Sequence, residues 1–348
     1  MEFGIALTPS TDSWRVVQRA EEIGFTHAWF YDSQLLYTDV FVSMALAAEH
    51  TSRIKLGTGV LIPTNRIAPV AANAFASLNR LAPGRVIFGV GTGFTGRNTM
   101  GLPAQKLDDM AAYIRVVQAM LRGETVEFAT EGTTRKVRFL NPENGMLNLD
   151  DPVPVHISAF GPRGRALTAK AADGWMTFMG PVEAAIHQVG AIDQACRDAG
   201  RDPATLYKTI YSLGCVLEPG EPADSPRAMA QAGPGSAVSW HGMIENFSRL
   251  QPAMREAAGA YRQLYESYAP ADARYLSLHK GHLLFVRDDE RAFVTADMIR
   301  GGTFTASAPE LRERVERLAA AGFDQLTIQL VHGQEAAVED WAKLFGLR

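Results

Sequence analysis

A chain of 348 residues, 47% hydrophobic and 21% charged, has the apolar material for a full core and the balance of an ordinary globular protein. Its formal charge of -4 gives no electrostatic reason to expect a nucleic acid or an anionic membrane as partner. Two cysteines, Cys196 and Cys215, are too few for a disulfide framework, and no basic leader or apolar run of about 18 residues marks export or a membrane span, so the expected compartment is the cytoplasm.

Strand-like apolar runs alternate with helix-periodic segments along the chain, the pattern of parallel βαβ units. The first strand is Phe3 to Leu7, followed by a helix from about Asp12 to Ile23 that Gly24 ends. Strand two, His27 to Tyr31, leads to a helix around Val40 to His50. Strand three, Ile54 to Leu61, leads to one around Ala68 to Leu81, and Pro83-Gly84 punctuates the chain. Strand four is Val86 to Val90, with a helix from about Leu107 to Leu121. Strands five and six, Val153 to Ala159 and Trp175 to Phe178, precede helical patterns near 163–172 and 182–199. Strand seven is about Leu206 to Leu217, strand eight Gln325 to Val331, and Ala336 to Phe345 is the last helix. An internal echo, Glu21-Glu-Ile-Gly-Phe-Thr-His-Ala-Trp-Phe30 against Ala319-Ala-Ala-Gly-Phe-Asp-Gln-Leu-Thr-Ile328, repeats a helix end, a glycine and a strand. Eight such units predict one α/β domain over residues 1–348, a (β/α)8 TIM barrel with its active site at the carboxyl ends of the strands.

Two insertions break the rhythm. Residues 123–152, before strand five, read as a hairpin of Val126 to Phe128 and Lys136 to Leu140 around Glu131-Gly132. Residues 218–305, after strand seven, open with prolines and a Gly233-Pro234-Gly235 turn and become helical from about Met243 to Tyr268. This excursion is expected to be a mobile lid.

The strand ends carry the chemistry. Strand four runs into Gly91-Thr-Gly-Phe-Thr-Gly-Arg-Asn98, a glycine-dense loop whose N–H groups, with Arg97, suit a phosphorylated cofactor. Asp32, Ser33 and Gln34 end strand two; Asp32 fits either a ligand contact or a loop cap. Gly57 and Gly59 in strand three mark a bulge or a place where something flat lies against backbone. Strand five ends Ser158-Ala-Phe-Gly-Pro-Arg163, where Gly161 and Arg163 suit a phosphate at a helix start. Together these small-residue ends describe a flat slot with anion-binding ends. No metal site is expected: His279 and His282 are three apart, but no carboxylate pattern accompanies them in the sequence.

The segments Ile54-Lys-Leu-Gly-Thr-Gly-Val60, Ala74-Phe-Ala-Ser-Leu-Asn79, Arg85 to Gly93, Ser158 to Pro162, Ala172-Asp-Gly-Trp175 and Glu310 to Gln329 resemble the bacterial luciferase-like superfamily of flavin- and deazaflavin-dependent oxidoreductases, near its methylenetetrahydromethanopterin reductase branch. The resemblance implies a TIM barrel, usually dimeric, that binds FMN or the deazaflavin coenzyme F-420. It implies cofactor contacts at Thr58, Gly59, Val60, Gly91, Thr92, Gly93, Arg97, Asn98, Ser158, Ala159, Phe160 and Gly161, with the family's non-prolyl cis peptide at Gly59-Val60. Many relatives place a histidine after the acid of strand two; here the sequence is Asp32-Ser33-Gln34, which leaves Asp32 and Ser33 as the catalytic candidates. The lysine of sugar-phosphate-oxidising relatives is absent from Phe178-Met-Gly-Pro-Val182.

The expectation is a flavin- or deazaflavin-dependent oxidoreductase that transfers hydride to or from a small organic substrate, as a homodimer, with a separate reductase supplying reduced cofactor. The alternatives are a monooxygenase using reduced FMN, a non-catalytic flavin-binding protein and, with least support, a metal-dependent barrel hydrolase.

Overall fold

The structure, a computed structural model, describes residues 1–348. Eight parallel strands close a barrel: Glu2–Leu7, His27–Phe30, Lys55–Thr58, Val86–Val90, Val155–Ser158, Gly174–Phe178, Tyr207–Ser212 and Gln325–Leu330. Each pairs with its neighbours in chain order, and the eighth closes on the first from Glu2↔Gln325 to Leu7↔Leu330. The fold is the expected α/β TIM barrel.

Two cores result from the two faces of the strands. Outward residues such as Ile5, Phe88, Ile157 and Ile328 join the helices in one continuous cluster of 61 buried residues. Inside the barrel, Trp29, Tyr31, Ile87, Met176 and Tyr211 pack with Ala6 beneath the carboxyl ends of the strands. The sequence echo is structural: Phe25 N–H returns to Ala20 O and Phe323 N–H to Leu318 O, past left-handed Gly24 (φ 98°) and Gly322 (φ 101°).

Several expected boundaries move. Strand three stops at Thr58; the Gly59-Val60 peptide that follows is cis, and Leu61 pairs again with Val90. Strand seven ends at Ser212; Val216–Leu217 forms a separate short pair with Ala306–Ser307, which clamps the two ends of the long insertion. In the hairpin, left-handed Glu131 and Gly132 make a two-residue turn, so Thr130 pairs with Thr133 and the second strand is Thr133–Val137, not 136–140.

The largest departure is in the long insertion. Gly233-Pro234-Gly235 is not a turn but lies inside the helix Pro226–Glu245. The small residues let this helix approach its neighbours: a Cβ at Gly233 would meet Val286 at 2.9 Å, and one at Gly235 would meet Leu213 at 3.2 Å. Close packing outweighs the roughly 3 kcal/mol that an interior proline costs a helix. The helix expected over 243–268 is instead the end of this one followed by short helices Pro252–Ala257 and Gly259–Glu266. No helix is long and apolar enough to cross a membrane.

Candidate active site

A cavity of about 880 Å³ opens at the carboxyl ends of the strands, large for a single small substrate and suited to a cofactor with one. Its wall receives residues from the ends of strands two to eight. Asp32, Ser33, Gly59, Val60, Gly91, Thr92, Gly93, Ser158, Ala159, Phe160 and Gly161 all line it, so residues read from four separate strand ends meet around one space. Thr58, Arg97 and Asn98 lie outside the lining. Thr58 is fully buried and donates its hydroxyl to Gly89 O at 2.6 Å. Arg97 is occupied elsewhere, donating to Thr64 Oγ1 at 2.8 Å and to Pro103 O at 2.5 Å.

The glycines earn their positions by packing as much as by exposure of backbone. A Cβ at Gly91 would stand 2.7 Å from Val60, and one at Gly93 or Gly96 would strike Ile62 at 2.5 or 2.4 Å, so the strand-three loop seats into the strand-four loop. The flat group against Gly57 is Trp29, whose ring atoms would lie 2.4 Å from a Cβ there. The strand-three and strand-four glycines therefore build a rigid floor of which Gly59 and Val60 form the exposed part. Gly161 alone in this set has open space in front of it.

Three phenylalanines of the wall face solvent although they are large and apolar: Phe94 is 42%, Phe160 54% and Phe178 45% exposed. Phe160 stacks on Phe178 with ring centroids 5.9 Å apart, and Phe178 continues onto Tyr211 at 5.7 Å. Such exposure in a concave site calls for an apolar, planar ligand. An anion has a place beside it. The helix Pro162–Ala171 starts at the cavity, its first internal N–H bond is Arg165 to Gly161 O, and Arg163 N–H and Gly164 N–H make no earlier one. The Arg163 guanidinium is 77% exposed and stands 3.7 Å from Asp108, loosely enough to turn to a ligand.

Asp32 is buried, and its carboxylate already has partners. It accepts from Arg66 Nη1 at 2.9 and 3.0 Å, from Ile62 N–H at 3.0 Å and from Asn65 Nδ2 at 3.4 Å. Burial pushes its carboxyl up from the ordinary value, while the guanidinium and the Ile62 N–H oppose that shift. Asp32 thus ties the loop that carries Val60 and Ile62 to the end of strand two. Gln34 adds to the tie by donating to Gly96 O and accepting from Asn65 at 2.7 Å.

Residues beyond the expected set complete the wall. Tyr31 donates its hydroxyl to Gln329 at 3.1 Å, and Tyr37 donates to the His282 carbonyl at 2.5 Å. Tyr211 has a buried hydroxyl with no partner in the chain. Burial raises the phenols of all three, so they remain protonated donors at neutral pH. The available signal was the aromatic residue at the ends of strands two and seven. From the insertion come Gly235, Val238, Ser239, His282 and Leu283, which no local pattern ties to the barrel.

A closed βα barrel with an aromatic-walled cavity at the carboxyl ends of its strands defines the class: a TIM barrel with its candidate site at the strand ends. The model of the luciferase-like monooxygenase family matches residues 8–325, and the chain belongs to that family. It is 31% identical over 212 residues to an F-420-dependent hydroxymycolic acid dehydrogenase of Mycobacterium tuberculosis, which covers 57% of each chain. To a 5,10-methylenetetrahydromethanopterin reductase of Methanolobus tindarius it is 30% identical over 220 residues, 61% of this chain and 64% of that one. The matches thus span less than two thirds of either relative's length. In fold it is similar to the F-420-dependent tetrahydromethanopterin reductase of Methanopyrus kandleri, with a TM-score of 0.68 at 21% identity over 98% of this chain and 97% of that one.

Proposed function

We propose that this chain is an F-420-dependent oxidoreductase that moves hydride between the deazaflavin and a small organic substrate. The observation that carries the proposal is the cavity itself: a rigid floor at Gly59 and Val60, a wall of exposed Phe94, Phe160 and Phe178, and a guanidinium at its rim. These residues fit a flavin-like group, since the ring needs apolar planes and its phosphate-bearing tail needs a cation and free N–H groups. The sequence relationship to an F-420-dependent dehydrogenase favours the deazaflavin. When bound, that cofactor supplies a ring carbon that accepts or gives hydride.

The chain's own residues supply position and protons. Gly59, Val60, Gly91 and Gly93 back the ring, Ala159 and Phe160 flank it, and Ser158, Thr92 and Gly161 offer polar or open contacts toward the tail, with Arg163 as the anion partner. Thr58 and Arg97 support this set from behind by holding the loops, and Asn98, whose buried amide has no partner in the chain, keeps a donor free beside them. Asp32 orients the strand-three loop, and Ser33 stands beside it with a hydroxyl to offer the substrate. Tyr211 Oη holds a proton inside the wall, available to a substrate oxygen or nitrogen. The insertion contributes Val238 and Leu283 as an apolar cover that excludes water.

The chain is further proposed to act in the cytoplasm as a homodimer, its reduced cofactor supplied by a separate reductase. Val42, Ile67 and Val70, large, apolar and exposed on or just before the mutually packed helices Val40–Glu49 and Ala68–Leu81, support self-association. Light scattering at the mass of two chains is the expected result. The function is tested by anaerobic assay of oxidised F-420 against small alcohols and of reduced F-420 against alkenes and imines. Turnover without oxygen is expected; oxygen uptake with reduced FMN and no F-420 turnover would assign a monooxygenase instead.

A further inference from the structure

His241, His279 and His282 come from distant parts of the insertion and meet in its interior. His241 lies near the end of the helix Pro226–Glu245, while His279 and His282 follow the short helix Tyr275–Leu278. Their ring centroids form a nearly equilateral triangle of 5.8, 5.7 and 5.6 Å, and one ring nitrogen of each lies within 4.8 Å of the others. The three residues are only 2, 3 and 4% exposed.

Hydrogen bonds occupy one nitrogen on two of the rings. His241 Nε2 meets Glu290 Oε2 at 3.0 Å, and His279 Nε2 meets Glu245 Oε1 at 2.6 Å. A neutral imidazole has one N–H and one lone pair; with the N–H given to a carboxylate, the lone pair sits on Nδ1. The Nδ1 atoms of all three histidines are buried and have no hydrogen-bond partner. Orphaned buried acceptors of this kind cost about 1–3 kcal/mol each, and three together are rare unless something binds them. Glu290 is itself anchored: it is 1% exposed and also takes the Tyr261 hydroxyl at 2.8 Å, Arg287 N–H at 3.1 Å and the Arg287 guanidinium at 3.0 Å.

We propose that His241, His279 and His282 bind one divalent transition-metal ion of the zinc type through their Nδ1 atoms, with Glu290 and Glu245 orienting the first two rings and water completing the coordination. A ligating histidine that gives its other N–H to a carboxylate is the usual outer-shell arrangement of such sites, and imidazole nitrogen suits zinc. Metal–nitrogen bonds of about 2.0–2.1 Å need the rings to draw together. The ion pins the helix Pro226–Glu245 to the segment 279–283, and so sets the His282 carbonyl that accepts from Tyr37 and the Leu283 side chain at the cavity. This site stands apart from the cofactor proposal and does not depend on it.

The experiment strips the full-length protein with a chelator and titrates it with Zn2+ and Co2+. One tightly held equivalent per chain is expected, with an intense visible Co2+ spectrum of low coordination number and an X-ray absorption shell of imidazole nitrogens at about 2.0 Å. Glu245→Gln should bind about 10- to 100-fold more weakly. His241→Gln and His279→Gln should lose stoichiometric binding, whereas exposed His332→Gln should keep it. Failure of the stripped wild-type protein to take up an equivalent overturns the proposal, as does a first shell without imidazole or full retention by the His241→Gln, His279→Gln double variant. The wild-type spectrum decides even if a variant does not fold.

Discussion

The floor of the cavity and the interior of the long insertion solve the problem of a dry interior in opposite ways. The floor is backbone against side chain: Gly57 under Trp29, Gly91 under Val60, Gly93 and Gly96 under Ile62. The insertion has only small apolar clusters, nine buried residues around Cys215 and Ala232 and three around Tyr261, with a charged network of Glu245, Glu290, Arg287 and three histidines between its helices. The floor is fixed by shape and tolerates almost no added atom. The insertion is fixed by polar partners, and its integrity depends on their protonation and occupancy.

Glycine substitution should separate the two regions most strongly. A Cβ at Gly89 would stand 1.9 Å from Thr58 O, a backbone atom that cannot turn aside, so Gly89→Ala should cost about 3 kcal/mol or more and appear as lost soluble protein or a collapsed denaturant midpoint. Near-wild-type stability would show that the two strands are looser than described. Gly242, on the insertion helix, has nothing within 4 Å of a Cβ, and Gly242→Ala should move stability the other way.

Asp32→Asn tests whether the tie behind the floor matters to chemistry. It removes the charge that Arg66 faces while keeping the shape, and the released loop should lower turnover by roughly 100-fold, because small misplacements of a reacting pair cost that much. Unchanged turnover would move Asp32 to a purely structural role. Arg163→Ala, at the open rim, should weaken F-420 binding by about 10-fold or more and leave the fold intact. Arg97→Ala, whose guanidinium is held by Thr64 and Pro103, should act less on affinity than Arg163→Ala.

Acid should act on the barrel, with a sign set by buried neutral imidazoles. Burial lowers His27 and His156, the latter to about 3. Their unfolded forms take up protons near pH 6.5, the folded forms only at lower pH, so the stability they confer is full above about pH 6.5 and falls as pH drops below it. Each contributes a slope of up to about 1.4 kcal/mol per pH unit in that window. Denaturant midpoints that stay constant between neutral pH and pH 5 would contradict this, and His156→Leu should flatten the barrel's share of the slope. The smallest effect is Gly242→Ala, a gain of roughly 0.5–1 kcal/mol from helix propensity, read as a small rise in midpoint.

The same contrast explains what could be read from sequence. The barrel was legible because its signals are local: apolar runs of strand length, glycines after helices and small residues at strand ends. Eleven of the fourteen expected site residues meet at the cavity for the same reason. Arg97 was misleading because its partners, Thr64 and Pro103, come from other turns of the chain, and a charge beside glycines says nothing of them. Gly233-Pro234-Gly235 read as a turn because local propensity ignores the neighbours that make a small, tightly packed helix worthwhile. His279 and His282 were visible as a spaced pair and read as no metal site, because His241 and the carboxylates that face the rings come to them only in the folded insertion.

A deazaflavin held in the cavity above Gly59 and Val60 is the central proposal. Calorimetric titration of the purified chain with F-420 and, separately, with FMN tests that most directly. One F-420 per chain, bound at least about 10-fold more tightly than FMN and weakened by Arg163→Ala, is the predicted result. Binding of FMN alone, or F-420 affinity indifferent to Arg163, would contradict it.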